Sequence, residues 1–126
     1  MAGEAAPNAC RFECEVEAAP LSAVLRPAEL RGARLIKIDV EGAELDVIDG
    51  GRALLSRAKP LVIFEHVATA AALYGAAPAA LFDLLSGLEY EIFSITGGGP
   101  FTRLEFAENT EVVNWLARPN ATSVSG

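Results

Sequence analysis

The sequence predicts an α/β domain whose sheet carries parallel strands. Three apolar segments rich in Ile, Val and Phe, residues 35–40 (LIKIDV), 61–64 (LVIF) and 90–95 (YEIFSI), alternate with stretches of helical spacing. Strand, helix, strand, helix, strand is the order in which parallel strands are joined by crossover helices. The two leading strands run into ionisable residues, Asp39 with Glu41 and Glu65 with His66. In open α/β sheets the ligand crevice lies outside the carboxyl ends of the strands, so these four are the first candidates for a site.

Each element has its own local cause. Residues 1–9 are small and polar, with Pro7 and Asn8, and read as a loose end. Residues 12–17 (FECEVE) alternate apolar and acidic side chains, the period of a half-exposed strand. Residues 21–25 and 28–30 read as short helical turns interrupted by Pro27. Residues 35–40 form a strand with an apolar run suited to burial on both faces. Lys37 is its exception, an edge or snorkelling residue.

A helix follows from about Gly42, with Leu45 and Ile48 on one face and Leu54 and Leu55 further on. Gly50-Gly51 costs about 1 kcal/mol per glycine in a helix interior, which predicts a break there with Asp49 as cap of the second piece. Pro60 opens the second strand, residues 61–64. An Ala-rich helical stretch comes next, is interrupted at 76–78, and resumes over 79–85 with Leu81, Phe82 and Leu85 on one face. Ser86-Gly87 closes it. After the strand at 90–95, residues 97–100 (GGGP) are a turn, 101–106 a short strand, and 112–117 a last strand stopped by Pro119. Residues 120–126 read as a flexible tail.

Composition narrows the function. The chain has 126 residues, room for one small domain. It is 52% hydrophobic and 21% charged, the balance of a globular protein with a core. A net charge of −7 without a Lys/Arg cluster disfavours nucleic acid and serves solubility. Cys10 and Cys14 form a C-x3-C pair, half a metal site at most, and a single His gives it nothing to complete it. Two unpaired thiols in a reducing cytoplasm are the simpler reading. No apolar run reaches the roughly 20 residues of a membrane span, and no secretory signal opens the chain. A cytoplasmic protein with no membrane partner is expected.

The candidate residues each admit two readings. Asp39 and Glu41 either cap the following helix and favour its dipole, or orient and deprotonate an acceptor hydroxyl. With Glu65 they also make a minimal oxygen set for a divalent cation, but the preferred reading carries no metal. Gly42 lets the turn pass close to a ligand or adopt positive φ. Glu44 reads as a solvated first-turn acid. His66 is either a general base or a partly exposed strand-end histidine. Phe106 and Trp115 read as core or cover for the sheet.

Residues 35–65, LIKIDVEGAELDVIDGGRALLSRAKPLVIFE, closely resemble the central segment of the FkbM family of methyltransferases. Its I-K-I-D-x-E-G-x-E motif is followed there by a helix, a proline and an apolar strand ending in Glu. Residues 18–25 (AAPLSAVL), 87–95 (GLEYEIFSI) and 114–119 (NWLARP) resemble flanking elements more weakly, without the acids the first usually carries. The resemblance implies a Rossmann-like methyltransferase sheet, its last strand antiparallel, spread over residues 10–119. The strand before Asp39 would be the fourth of the sheet and the one ending at Glu65 the fifth. It implies S-adenosylmethionine as cofactor and methyl transfer, usually to a hydroxyl oxygen, of a small molecule or carbohydrate. Asp39, Glu41, Glu65 and His66 would then line the methyl-transfer site, with Asp39, Val40 and Gly42 beside the cofactor.

One departure from the family pattern matters. Such enzymes hold the cofactor mainly through a glycine-rich turn after the first strand and an acid after the second. Nothing before residue 35 supplies both, so the chain resembles the C-terminal half of the domain. Two expectations follow: self-association through an open sheet edge, and, as the rival function, a non-catalytic α/β interaction module that has lost the cofactor.

Overall fold

The computed structural model describes residues 14–121. Four strands form one mixed sheet in the order β1-β2-β4-β3. β1 is Leu35–Ile38, β2 Leu61–Glu65, β3 Tyr90–Ser94 and β4 Asn114–Pro119. β1 and β2 are parallel, and β4 lies antiparallel between β2 and β3. The last strand in sequence inserts between the second and third, and it runs antiparallel as expected.

Register sorts the side chains into two faces. Ile38 opposes Phe64, Phe64 opposes Trp115, Val62 opposes Ala117, and Ala117 opposes Ile92. All of these are buried on one face, joined there by Ile48, Leu55, Leu81, Leu85 and Phe106 from the helices. The pleat sends Leu35, Lys37, Ile63, Leu116 and Phe93 to the other face. There Leu35 and Leu61 are exposed and Arg118 lies 4.4 Å from the Phe93 ring centroid. Among the described residues β1 has β2 as its only strand neighbour, so its outer edge is open.

Two short helices, α1 (Leu21–Val24) and α2 (Pro27–Arg31), precede β1. Pro27 opens α2 as its first residue, where a missing N–H costs nothing. Between β1 and β2 the expected helix is split into α3 (Glu44–Gly50) and α4 (Arg52–Ala58), the break falling at Gly50-Gly51. Asp49 does not cap the second piece; its carboxylate accepts from Arg52 Nε at 2.6 Å instead. α5 (Ala68–Ala72) and α6 (Ala80–Gly87) join β2 to β3. α6 ends at Gly87, within the expected stop at Ser86-Gly87. The left-handed residue that follows the helix is Glu89, φ 68, and Leu88 before it packs on the core.

Two local expectations fail. Residues 101–106 are not a strand: α7 spans Arg103–Glu108. Thr102 Oγ1 accepts from the Glu105 N–H at 3.1 Å, and Glu105 Oε1 accepts from the Thr102 N–H at 2.8 Å. This reciprocal cap fixes a helix start where a short strand was expected. Of the strand expected over 12–17, Phe12 and Glu13 lie outside the described residues. Residues 14–17 are exposed without regular structure, having no neighbouring strand to pair with. Cys14 is exposed, and Cys10 lies outside the described residues.

Candidate functional site

The chain leaves β1 through a tight turn over residues 40–43, closed by the Ala43 N–H on the Val40 carbonyl at 3.4 Å. Both central residues have positive φ, 51° at Glu41 and 108° at Gly42, the signature of a type I′ turn. A glutamate in that conformation is strained, since its Cβ crowds the following carbonyl. Gly42 has a packing cause: a Cβ there would lie 2.6 Å from the Ala70 carbonyl oxygen and 2.9 Å from its carbon. α5 therefore occupies the space that only a glycine leaves free.

Asp39 and Glu41 are exposed at this turn, and the Asp39 carboxylate stands 3.9 Å from Lys37 Nζ. Neither caps α3, whose first residue Glu44 follows Ala43 without a side-chain cap. Lys37 opposes Ile63 in register, so Asp39 and Glu65 follow at neighbouring levels of two adjacent parallel strands. Glu65 is half-buried and His66 is buried, on opposite sides of the chain as the pleat dictates.

Glu44, expected to be solvated, is the neighbour of these residues whose place differs from the expectation. It is not solvated: only 1% of it is exposed. Its Oε2 accepts the Gly42 N–H at 2.9 Å, and its Oε1 lies 3.9 Å from His66 Nδ1. Neither that oxygen nor that nitrogen has a hydrogen-bond partner. The signal was available in the spacing, because Glu44 and Ile48 are four apart on one helix face and both are buried. A charged residue in step with a core isoleucine is a candidate for burial.

His66 sits at the meeting point of three elements. Its ring stacks on Phe106 of α7 at a centroid distance of 5.0 Å and an interplanar angle of 18°. Its N–H donates to the Val113 carbonyl at 2.9 Å, and its own carbonyl accepts from Trp115 Nε1 at 3.3 Å. Burial pushes the imidazole pKa below its ordinary value, and the nearby Glu44 carboxylate acts against that shift. A neutral imidazole at physiological pH can accept a proton.

Two hollows adjoin these residues. A cavity of about 40 Å³ is bounded by His66, Ala68, Phe106, Asn109 and Val112, space on the scale of a water molecule. An open groove of about 510 Å³ runs between residues 18–21 and α3, with Val40, Ala43 and Val47 on its floor and Asp46 at its rim. Its lining is largely apolar, with Asp46 the one carboxylate. Among the described residues no three His, Cys, Asp or Glu side chains gather to hold a metal ion. The GGGP loop is a turn, its Gly98 N–H and Thr96 N–H bonded to Ser94 Oγ at 3.3 and 3.2 Å. No helix among the described residues is long and apolar enough to cross a membrane.

A mixed four-stranded sheet alternating with helices, its acids and histidine at the carboxyl ends of parallel strands, is that of a Rossmann-like methyltransferase. Residues 10–94 match the family model of the methyltransferase FkbM domain, and the chain belongs to that family. The match runs through β3 and stops at Ser94, so the resemblance of residues 114–119 lies beyond it. Comparison with curated proteins and with solved structures gives no match.

Proposed function

We propose that the protein transfers a methyl group from S-adenosylmethionine to a hydroxyl oxygen of a small molecule or carbohydrate. One observation carries this reading: Asp39 and the Glu65-His66 pair stand at the carboxyl ends of adjacent parallel strands, and Val40, next to Asp39 in the chain, lines the open groove. Asp39 and the backbone at Val40 would hold the cofactor, whose sulfonium charge the exposed Asp39 and Glu41 carboxylates offset. Gly42 contributes through the turn it permits, since α5 fills the space beside it. When bound, the cofactor supplies an electrophilic methyl carbon. His66 accepts the hydroxyl proton.

The test is titration calorimetry of the chain with S-adenosylmethionine. Micromolar binding supports the reading, and no detectable heat at millimolar cofactor overturns it for this chain. A second reading, a non-catalytic interaction module, draws on the open β1 edge and the exposed Leu35 and Leu61 beside it. Self-association in sedimentation without cofactor binding would favour that reading, and a clean monomer would count against it.

A further inference from the structure

Glu44 and His66 present a problem that neither residue solves alone. Glu44 Oε1 and His66 Nδ1 are both buried and both lack a hydrogen-bond partner, and they face each other across 3.9 Å. Buried polar groups in native proteins are rarely left unpaired. Oε2 of the same carboxylate is already held by the Gly42 N–H, which aims Oε1 rather than Oε2 at the ring. Phe106 fixes the plane of the imidazole from its face.

The chemistry of the two atoms then restricts the proton. A carboxylate oxygen only accepts, so an unprotonated Nδ1 would set two acceptors against each other in a water-poor site. A proton on Nδ1 turns the contact into a charge-assisted hydrogen bond. The gap is longer than such a bond, but the terminal torsion of a glutamate is broad, and contacts of this kind tighten when a site is loaded.

We infer that Glu44 is the positioning residue for His66: its Oε1 accepts from Nδ1–H of the neutral ring and leaves Nε2 as the nitrogen that takes up a proton. This rests on the reading of His66 as the base of the proposed reaction. It gives the second acid of the E-G-x-E motif a role, and it ties the base to the turn bearing Asp39 and Glu41 through the Gly42 N–H. Glu44 is the ionisable group that acts on His66 from the surrounding elements. α7 presents Phe106 to it, while Glu105 and Glu108 of that helix are exposed. β4 presents Val113 and Trp115, and Glu65 points to the other face of the sheet.

The chain has a single histidine, so long-range 15N–1H correlation spectra of the ring report His66 without assignment. Above its pKa the ring of the wild-type protein is expected as the Nδ1–H tautomer. In Glu44→Gln, which removes the charge and keeps the shape, the His66 pKa is expected to fall below its wild-type value. An Nε2–H tautomer in the wild type overturns the inference even if the variant does not fold. An unchanged or raised pKa in a folded Glu44→Gln overturns it too. Neither reading uses S-adenosylmethionine or an acceptor. Failure here therefore leaves cofactor binding to be judged by calorimetry, and failure of cofactor binding leaves the pair standing.

Discussion

The ends of β1 and β2 are neighbours in one sheet and yet are built in opposite ways. Among the described residues β1 is an open edge, and Asp39 and Glu41 stand in solvent on a strained turn at its end. At β2 the chain is flanked on both sides, by β1 and β4, and His66 is enclosed by Glu44, Phe106 and Trp115. The difference teaches how a small domain divides labour. The edge leaves its carboxylates in solvent, and the interior encloses its titratable group in packed side chains.

Breaking the enclosed end should cost most. Phe106 packs on His66, Phe82 and Trp115, so Phe106→Ala opens a cavity under the whole cluster. A loss of about 3–5 kcal/mol is expected in urea unfolding. A loss under about 1 kcal/mol would mean the cluster is not the organising contact of that end. Gly42→Ala comes next, because it drives a Cβ against the Ala70 backbone at 2.6 Å and strains φ as well. Strain alone is worth about 1–3 kcal/mol. Gly75→Ala, also at positive φ but with nothing within 4 Å, is the control and should lose less.

Just below pH 6.5 the pH dependence of stability should report the enclosed end. His66 has its folded pKa lowered from an ordinary value of 6.5, chiefly by burial. The unfolded chain therefore binds the proton more readily than the folded one. The contribution of neutral His66 is present above pH 6.5 and is lost as pH falls from there through the folded value. Unfolding midpoints measured across that window should decline with acid, and His66→Asn should flatten the decline. The smallest effect belongs to the edge. Glu41→Asn relieves a left-handed glutamate and should gain about 1 kcal/mol, measured by the same urea titration, without altering the pH profile. A change in that profile would show the two ends to be one coupled unit.

Much of this arrangement was legible in the sequence. Residues 35–38 and 61–65 combine β-branched content with an abrupt polar ending, and a double glycine can only interrupt a helix. Those are local signals with local causes, and the structure keeps them. α7 was legible too, through T-x-x-E at Thr102 and Glu105, although Phe101, Leu104 and Phe106 in so short a segment suit a strand as well. A cap is worth more than a pattern over so few residues. The burial of Glu44 could not be read with the same ease. A lone charge in the first turn of a helix is ordinarily solvated, and only the arrival of His66, 22 positions on in sequence, and of the Gly42 N–H makes its interior place tolerable.

The claim that these strand ends form the methyl-transfer corner can be tested by localising the cofactor. Backbone 15N–1H spectra of the chain titrated with S-adenosylmethionine should shift chiefly at residues 39–44, at Glu65 and His66, and along the groove at Val47. Shifts confined to the GGGP loop or to the exposed face around Leu116 and Phe93, or no shifts at saturating cofactor, would contradict it.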